Sequence, residues 1–206
     1  MHDGDRPEAA DASDQGPTIG SPQWRERVVA DTVDWVEKAV LGLGLCPFAR
    51  PVHAEKRIRF AVTTARDMDR LADVLQTELE TLADSAPESI ETTLLVHPLA
   101  LQDFLAFNDF LEVADEIVEE MGLAGVLQVA SFHPDYQFEG TAPGDIENFT
   151  NRSPYPTLHL LREESIERAV AAHPDTEQIF RTNIATLQRL GHDGWARLGL
   201  KGTRKR

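Results

Sequence analysis

The sequence predicts an α/β fold with a small, mostly parallel four-stranded sheet, flanking helices and a helical C-terminal segment. Short apolar runs rich in β-branched residues alternate with longer segments of helical spacing, in the order strand, helix, strand, helix, strand. Such alternation favours parallel strands joined by right-handed crossovers. The 206 residues, 41% of them hydrophobic, suffice for the core of a single domain. A ferredoxin-like α+β fold with extra helices is the alternative, since four strands and two crossover helices can also be arranged that way.

The first predicted elements follow an acidic N-terminal segment. Residues 1–20 are rich in Asp, Ala, Gly and Pro without periodicity, so we expect a disordered acidic tail. Ser21 is suited to be an N-cap with Pro22 at the first helical position, and this helix should end near Gly42 to Gly44. Its predicted buried face comprises Trp24, Val28, Thr32, Trp35, Val36, Ala39, Val40 and Leu43. A loop then leads to a strand at 58–64 and a helix at 67–83.

The next elements are a strand at 92–98, a helix at 101–121 and a strand at 126–132. A fourth strand is predicted at 156–162, and the chain should be helical from there to about residue 200. We therefore expect one α/β domain over 21–200 and a basic tail over 201–206. The predicted apolar face of the 101–121 helix comprises Leu101, Phe104, Leu105, Asn108, Leu111, Ala114, Val118 and Met121.

The net charge of -15 is unevenly distributed along the chain. The stretch from Leu71 to Asn151 has 17 Asp and Glu residues and no Lys or Arg. Nucleic-acid binding needs a basic face that neutralises phosphates, so we expect no nucleic-acid partner. The acids of the 101–121 helix fall largely opposite its apolar face, which indicates a solvated surface.

Membrane and secretory signals are not evident in the sequence. No apolar run approaches the roughly 20 residues that span a bilayer, and the N-terminus is acidic where a signal peptide would be basic and then apolar. The single cysteine excludes an internal disulfide, in agreement with a reducing compartment. We expect a cytoplasmic protein without a membrane partner.

The segment 131–163 is the main candidate for function. It places a loop of about two dozen residues between two apolar runs, where connections of about 4 to 6 residues are usual. Its aromatic residues argue against disorder. It contains ten polar candidates, namely His133, Asp135, Tyr136, Asp145, Asn148, Asn151, Arg152, Tyr155, His159 and Arg162.

Two histidines are predicted at the same edge of the sheet. His97 and His133 are each followed by a proline at the end of a predicted strand. Parallel strands would place both at the carboxyl edge, where open α/β sheets bind ligands. The two rings could meet one small ligand if the strands are neighbours, and could still line one cleft if another strand intervenes.

His159 lies in the middle of the fourth predicted strand. It is either a half-buried structural histidine or a third catalytic or metal-binding group. Together with His97, His133 and either Asp135 or Asp145, it would suit a divalent metal such as zinc or non-haem iron as cofactor. No HxH, HExxH or CxxC spacing supports that set, so the cofactor stays open.

Cys46 is a further catalytic candidate. It follows the C-terminus of the first predicted helix, whose partial negative charge would raise the pKa of its thiol unless Arg50, Lys56 or Arg57 folds back over it. The alternative is a buried cysteine that acts as a small hydrophobic residue.

Arg152 is the first cation after 81 residues without one. It could hold a carboxylate or phosphate, or it could pair with Asp145 or Glu147 and lock the loop. The other predicted substrate-binding residues are Asn148, Asn151, Tyr136, Tyr155 and Arg162. Asp145 is predicted to orient a histidine or to bind metal.

Three tracts, LGLCPFA at 43–49, SFHPDYQFEG at 131–140 and NFTNRSPYPTLHLLRE at 148–163, resemble an uncharacterised family of bacteria and plant plastids catalogued as domain of unknown function 1415. The likeness covers nearly all of residues 22–190. It implies that residues 45–48 and 131–163 form one unit, and it implies no activity, cofactor or catalytic residue.

We therefore expect an enzyme that acts on a small polar, anionic substrate by acid-base or metal-assisted chemistry. His133 would be the acid, base or metal ligand, supported by His97 and His159, with Arg152 as the anion anchor. The alternative is a non-catalytic metabolite-binding or regulatory module. A third hypothesis is that the protein is an interaction protein whose acidic surface binds a basic partner. Reaction class, substrate and oligomeric state stay open.

Overall fold

The four predicted strands are present and form one sheet in the computed structural model, which describes residues 16–172 and 176–202. Residues 1–15 of the predicted tail, 173–175 of the predicted helical segment and 203–206 of the basic tail lie outside the described residues. The strands are β1 (Ile58–Val62), β2 (Thr92–Val96), β3 (Leu127–Phe132) and β4 (Thr157–Arg162).

Six α-helices are found among the described residues: α1 (Pro22–Trp35), α2 (Ala49–Ala54), α3 (Met68–Asp84), α4 (Phe104–Glu120), α5 (Glu163–Ala172) and α6 (Thr176–Arg197). As predicted, Ser21 caps α1, and its hydroxyl accepts a hydrogen bond from the Trp24 N–H. A π-helical turn, Val36–Leu41, continues α1, and a 3-10 helix, Ile146–Asn151, lies in the long loop. Gly191, with φ 62°, kinks α6.

The prediction of a mostly parallel sheet is wrong. The strand order is β1-β2-β4-β3, and only the β1–β2 pair is parallel. β4 inserts between β2 and β3 and runs antiparallel to both. The long loop connects the carboxyl end of β3 to the start of β4 at the same end of the sheet, so β4 must run opposite to β3. The element order β-α-β-α-β-β also differs from the β-α-β-β-α-β order of ferredoxin-like folds.

α3 and α4 cover one face of the sheet. Leu71, Leu75 and Leu79 of α3 and Phe107 and Phe110 of α4 are fully buried there. The predicted apolar face of α4 is correct in part: Ala114 and Val118 are buried and Phe104, Leu111 and Met121 pack against the core, whereas Leu105 is 71% exposed. The buried positions on α4 are Phe107, Phe110, Ala114, Ile117 and Val118.

α1, the π-helical turn and α6 cover the other face. Trp35 and Leu187 are buried against Leu94 of β2, and the Trp35 ring meets Phe132 edge-on at 5.0 Å. The sheet is thus covered by helices on both faces, which is an α/β layer architecture. Among the described residues, no helix is long and apolar enough to cross a bilayer.

The carboxyl ends of β1, β2 and β3 meet at one edge of the sheet, because β4 alone runs the other way. Thr63 extends β1 by donating its N–H to the Val96 carbonyl, and the His97 N–H bonds to the Pro156 carbonyl at the start of β4. The Arg25 guanidinium bonds to the Val62 carbonyl and fixes α1 at this edge.

Candidate functional site

His97 and His133 lie at the carboxyl edge, on the face covered by α4. Both rings contact the Phe107 ring, with centroid distances of 5.6 and 5.1 Å. β4 separates the two strands that end in these histidines. The two strands are therefore not neighbours, which is the second of the two arrangements considered in the sequence. The His97 and His133 rings nevertheless share Phe107 as an aromatic neighbour.

Both histidines support the local turns. His133 accepts the Asp135 N–H at Nδ1, at 3.0 Å, and its Nε2 lies 3.2 Å from the Leu101 carbonyl. His97 uses Nδ1 to donate to the Ala100 carbonyl at 3.2 Å. Since a carbonyl only accepts, the neutral His97 ring has its proton on Nδ1 and a lone pair on Nε2.

The Nε2 atom of His97 is completely buried and has no hydrogen-bond partner among the described residues. The pKa of His97 is lowered to about 3, mainly by burial; the bond to the Ala100 carbonyl opposes this decrease, and His133 adds to it. An unpaired buried acceptor costs about 1 to 3 kcal/mol. Leu101, whose carbonyl meets His133, also has a left-handed backbone with φ 51°.

His159 does not join the other two histidines. It faces the opposite side of the sheet, 5.7 Å from the Phe132 ring, and its Nε2 lies 2.8 Å from the Thr92 hydroxyl. That hydroxyl donates to the Leu160 carbonyl, so His159 is the donor to Thr92. Burial lowers the pKa of His159 to about 4, which keeps the ring neutral.

The predicted metal ligands are therefore divided between two faces of the sheet. Within residues 16–172 and 176–202, no group of three or more His, Cys, Asp or Glu side chains is placed to hold a metal ion.

Side chains that were predicted to meet a substrate hold the long loop in shape. The amide oxygen of Asn148 accepts from the Phe138 N–H and the Thr141 hydroxyl, and its amide nitrogen donates to the Ala142 carbonyl. The carboxylate of Asp145 accepts the Ala142 N–H at 2.7 Å.

Arg152 contacts the backbone of the long loop. Its guanidinium donates to the carbonyls of Tyr136 and Pro143 and lies 4.2 Å from the centroid of the Phe149 ring. Asn151 donates to the Ser131 carbonyl at 3.5 Å. The loop-locking role considered for Arg152 thus has direct contacts, with two backbone carbonyls and the Phe149 ring.

The remaining predicted residues are dispersed. The Tyr136 ring packs on Phe104 and Phe138. Arg162 points to the other end of the sheet, where it binds the carbonyls of Leu82, Ser85 and Ile90.

Cys46 lies in the turn before α2. Burial raises the pKa of its thiol, and hydrogen bonds from the Phe48 and Ala49 N–H groups only partly oppose this effect. Arg50 is directed away, to the Leu41 carbonyl. These surroundings favour the thiol over the thiolate that a nucleophile requires.

Among the predicted residues, Tyr155 lines a cavity at one end of α1. We call this cavity, of about 430 Å³, the Asp31–Tyr155 pocket. It is lined by Gly16, Pro17, Trp24, Arg27, Val28, Asp31, Tyr155, Lys201 and Gly202. The Tyr155 hydroxyl donates to Oδ2 of Asp31 at 2.7 Å, across 124 positions of sequence. Burial raises the pKa of Tyr155, and Asp31 raises it further, whereas Arg27 lowers it.

The pocket combines a buried acid with two cations. Asp31 is only 7% exposed, while Arg27 and Lys201 are exposed at the rim. Within the described residues, the side chains of Arg27 and Lys201 form no ion pair or hydrogen bond, and Oδ1 of Asp31 has no hydrogen-bond partner. The pocket can therefore offer a cationic rim and one unengaged carboxylate oxygen to a ligand.

Sequence reasoning missed Asp31, Arg27 and Trp24. A signal was present, because positions 24, 28, 31 and 35 share one helical face, so Asp31 interrupts an apolar stripe. A carboxylate on a buried face needs a partner, and the partner, Tyr155, is too distant in sequence to be identified from spacing.

A family model described as "Protein of unknown function (DUF1415)" matches residues 27–197. No match was found among curated proteins or among solved structures.

Proposed function

The chain belongs to the DUF1415 family of proteins of unknown function, and we propose that it binds a small polar, anionic metabolite in the Asp31–Tyr155 pocket. The proposal rests on two cations, Arg27 and Lys201, at the rim of a cavity of about 430 Å³, whose side chains have no ion-pair partner in the part of the chain that the structure describes. In a chain of net charge -15, two such cations in one cavity form a local site of opposite sign.

The position of the pocket supports a ligand site. Tyr155 immediately precedes Pro156, whose carbonyl accepts the His97 N–H at the carboxyl edge. α1 is fixed at the same edge by the bond between Arg25 and the Val62 carbonyl. Ligands of open α/β sheets bind outside the carboxyl ends of the strands, and cavities of this size suit small molecules.

Thermal denaturation in the presence of small anions tests the proposal. Phosphate, acetate, succinate and citrate would each be compared with chloride at matched ionic strength, because screening alone changes stability. A ligand that binds the folded state raises the melting temperature with increasing concentration. We expect at least one of these anions to raise it above the chloride reference.

The matched variants are Arg27→Gln in the pocket and Arg189→Gln on α6. Arg189 is exposed, donates a hydrogen bond to the Thr186 hydroxyl at 3.3 Å and lies outside the pocket. We expect the Arg27→Gln variant to bind the anion about tenfold more weakly or worse, since a charge-assisted hydrogen bond is lost. An equal response of all three proteins, or no response to any anion, would overturn the proposal.

Catalysis at the histidines is a second candidate function, favoured by the unpaired Nε2 of His97. The lone pair of a buried neutral imidazole can accept a hydrogen bond from a hydroxyl or amide of a substrate, and His133 contacts the same Phe107 ring. In this proposal the protein is an enzyme that acts on a small polar substrate by histidine-centred acid-base chemistry.

A screen of phosphate esters, amides and redox substrates tests this second candidate. Turnover by the wild type should fall at least a hundredfold in His97→Ala and in His133→Ala, a loss of the size usual for general acid-base groups. Circular dichroism would confirm that both variants fold. Equal turnover by wild type and variants would count against catalysis at these histidines.

A further inference from the structure

We infer that the ligand of the Asp31–Tyr155 pocket is a zwitterion: a carboxylate that meets Arg27 and Lys201, joined to an ammonium group that meets Asp31. This inference rests on the proposed function and specifies its ligand class. It requires opposite charges of the ligand to be separated by an apolar linker, as in amino acids.

The first support is an ion pair that could form within α1 but does not. Arg27 and Asp31 are four residues apart on α1, where the two side chains are neighbours on the helix surface and commonly pair. No nitrogen of Arg27 lies within 4.0 Å of an Asp31 oxygen in the described structure, although other i,i+4 pairs of this chain do form, such as Lys38–Asp34 at 2.6 Å. Opposite charges on one face are thus held apart on the wall of the cavity.

The second support is the way Tyr155 fixes Asp31. The Tyr155 hydroxyl occupies Oδ2 and leaves Oδ1 without a partner among the described residues. Asp31 is 7% exposed, so a ligand that reaches Oδ1 meets a poorly hydrated negative charge. An ammonium group is the small donor that satisfies such an acceptor best, because it supplies both charge and hydrogen bonds.

The third support is the composition of the pocket wall between the charges. Trp24 and Val28 lie on the same helix as Arg27 and Asp31, and Pro17 lines the pocket as well. These apolar groups suit a methylene linker. Gly202 passes close to the pocket: a Cβ at this position would lie 2.9 Å from Pro154 and 3.0 Å from the Tyr155 ring. This close approach bounds the cavity and limits the ligand to a small molecule.

The experiment compares ligands that differ by one charged group. Titration calorimetry would measure the binding of glycine, β-alanine, 4-aminobutyrate and 5-aminopentanoate to the full chain. Butyrate has the four carbons of 4-aminobutyrate without the ammonium group. Butylamine has four carbons and an ammonium group without the carboxylate. We expect one of the amino acids to bind at least tenfold more tightly than butyrate and than butylamine.

Two variants assign the two charges. Asp31→Asn should bring the affinity for the amino acid down to that for butyrate, while butyrate binding is unchanged. Arg27→Gln, at an exposed position where folding is not at stake, should weaken both ligands at least tenfold, and Arg189→Gln should weaken neither. Thermal denaturation would verify that Asp31→Asn is folded.

The outcomes separate the two proposals. If butyrate binds and no amino acid binds more tightly, the zwitterion inference is wrong and the anion site stands. If the amino acid retains its advantage in Asp31→Asn, Asp31 does not recognise the ammonium group and the inference is also wrong. If neither these probes nor the inorganic and organic anions bind, both proposals fail.

Discussion

At the scale of single residues, the contact between Tyr155 and Asp31 joins the long loop to the first helix. We expect Tyr155→Phe to lower the free energy of unfolding by about 1.5 to 3 kcal/mol, because it leaves a buried carboxylate oxygen without its donor. Urea denaturation would measure the change. The matched control is Tyr136→Phe, at the other tyrosine of the chain, where the ring contacts with Phe104 and Phe138 are kept.

A double-mutant cycle with Asp31→Asn isolates the pair. The two single changes should not add, because each removes the same hydrogen bond, and the coupling should reach about 1 kcal/mol or more. Additive effects would mean that Tyr155 and Asp31 stabilise the fold independently, in contradiction to their 2.7 Å contact.

Residue-scale prediction from the sequence succeeded where one side chain has a local partner and failed where the partner is remote. Ser21 was identified as an N-cap because its partner, the Trp24 N–H, is three residues away. Asp31 was missed because its partner follows 124 residues later. The contacts of Arg152 with the carbonyls of Tyr136 and Pro143 were not anticipated, because the direction of those carbonyls depends on the folded loop.

At the scale of elements, the long loop is held from inside by Asn148. This side chain is fully buried and binds three groups of the segment 138–142. We expect Asn148→Ala to raise the amide exchange rates of residues 137–145 at least tenfold while the strands stay protected, since the loop loses its internal bonds and the sheet does not. Mass-spectrometric hydrogen exchange measures this directly.

Asn151→Ala is the control for that experiment, because Asn151 makes one long side-chain bond, at 3.5 Å. Its exchange pattern should resemble that of the wild type. If Asn148→Ala loosened the strands as much as the loop, Asn148 would be part of the global fold and not a local brace.

Arg162 connects two other elements, β4 and the C-terminal end of α3. Its guanidinium donates to the carbonyls of Leu82 and Ser85 at the end of α3 and to that of Ile90 in the segment before β2. We expect Arg162→Met to destabilise the fold by about 2 to 4 kcal/mol, because several charge-assisted bonds are lost while the aliphatic stem is kept.

Arg168→Met is the matched control for Arg162→Met. Arg168 lies on α5 and pairs at the surface with Glu164 at 2.9 Å. A surface pair is worth about 0 to 1 kcal/mol. Urea denaturation of both variants compares them, and similar losses would show that the cap on α3 is not the source of the effect.

The elements themselves could be predicted from the sequence, but their arrangement could not. Strand positions follow from apolar runs bounded by turn residues, and all four predicted strands overlap the observed ones. The place of β4 between β2 and β3 depends on pairing between distant segments, which periodicity does not encode. The buried face of α4 was predicted only in part for a related reason: both Leu105 and Phe107 fit an apolar stripe, and only packing on the sheet selects Phe107.

At the scale of the whole molecule, both faces of the sheet are covered, and polar groups are therefore buried together with apolar ones. His97 and His159 lie on opposite faces, and burial lowers the pKa of both, to about 3 and about 4. Tyr155 is anchored at the sheet edge, and burial raises its pKa. All three side chains are neutral in the folded protein at neutral pH, so folding is coupled to pH on both sides.

The stability of the fold should consequently decline towards acid and towards alkali. Below pH 6.5 the unfolded chain protonates both histidines, whereas the folded chain does not do so until about pH 4 or 3, so the free energy of unfolding falls as pH decreases from 6.5 to 4. Each histidine adds up to about 1.4 kcal/mol per pH unit to this slope. Above about pH 10 the unfolded chain loses the Tyr155 proton that the folded chain retains, and stability falls as pH rises.

Urea denaturation of two variants from pH 4 to 11 distinguishes the acid slope of stability against pH from its alkaline limb, the fall in stability above about pH 10. His159→Gln should remove the contribution of one proton from the acid slope and leave the alkaline limb unchanged. Tyr155→Phe should flatten the alkaline limb and leave the acid slope unchanged, so that each variant is the control for the other. A full acid slope in His159→Gln would mean that His159 is protonated in the folded sheet, and the hydrogen bond from its Nε2 to Thr92 would then no longer indicate a neutral ring. An unaltered alkaline limb in Tyr155→Phe would likewise place the phenol of Tyr155 in water and away from Asp31, and the proposed recognition of an ammonium group by an Asp31 that Tyr155 holds in place would lose its basis.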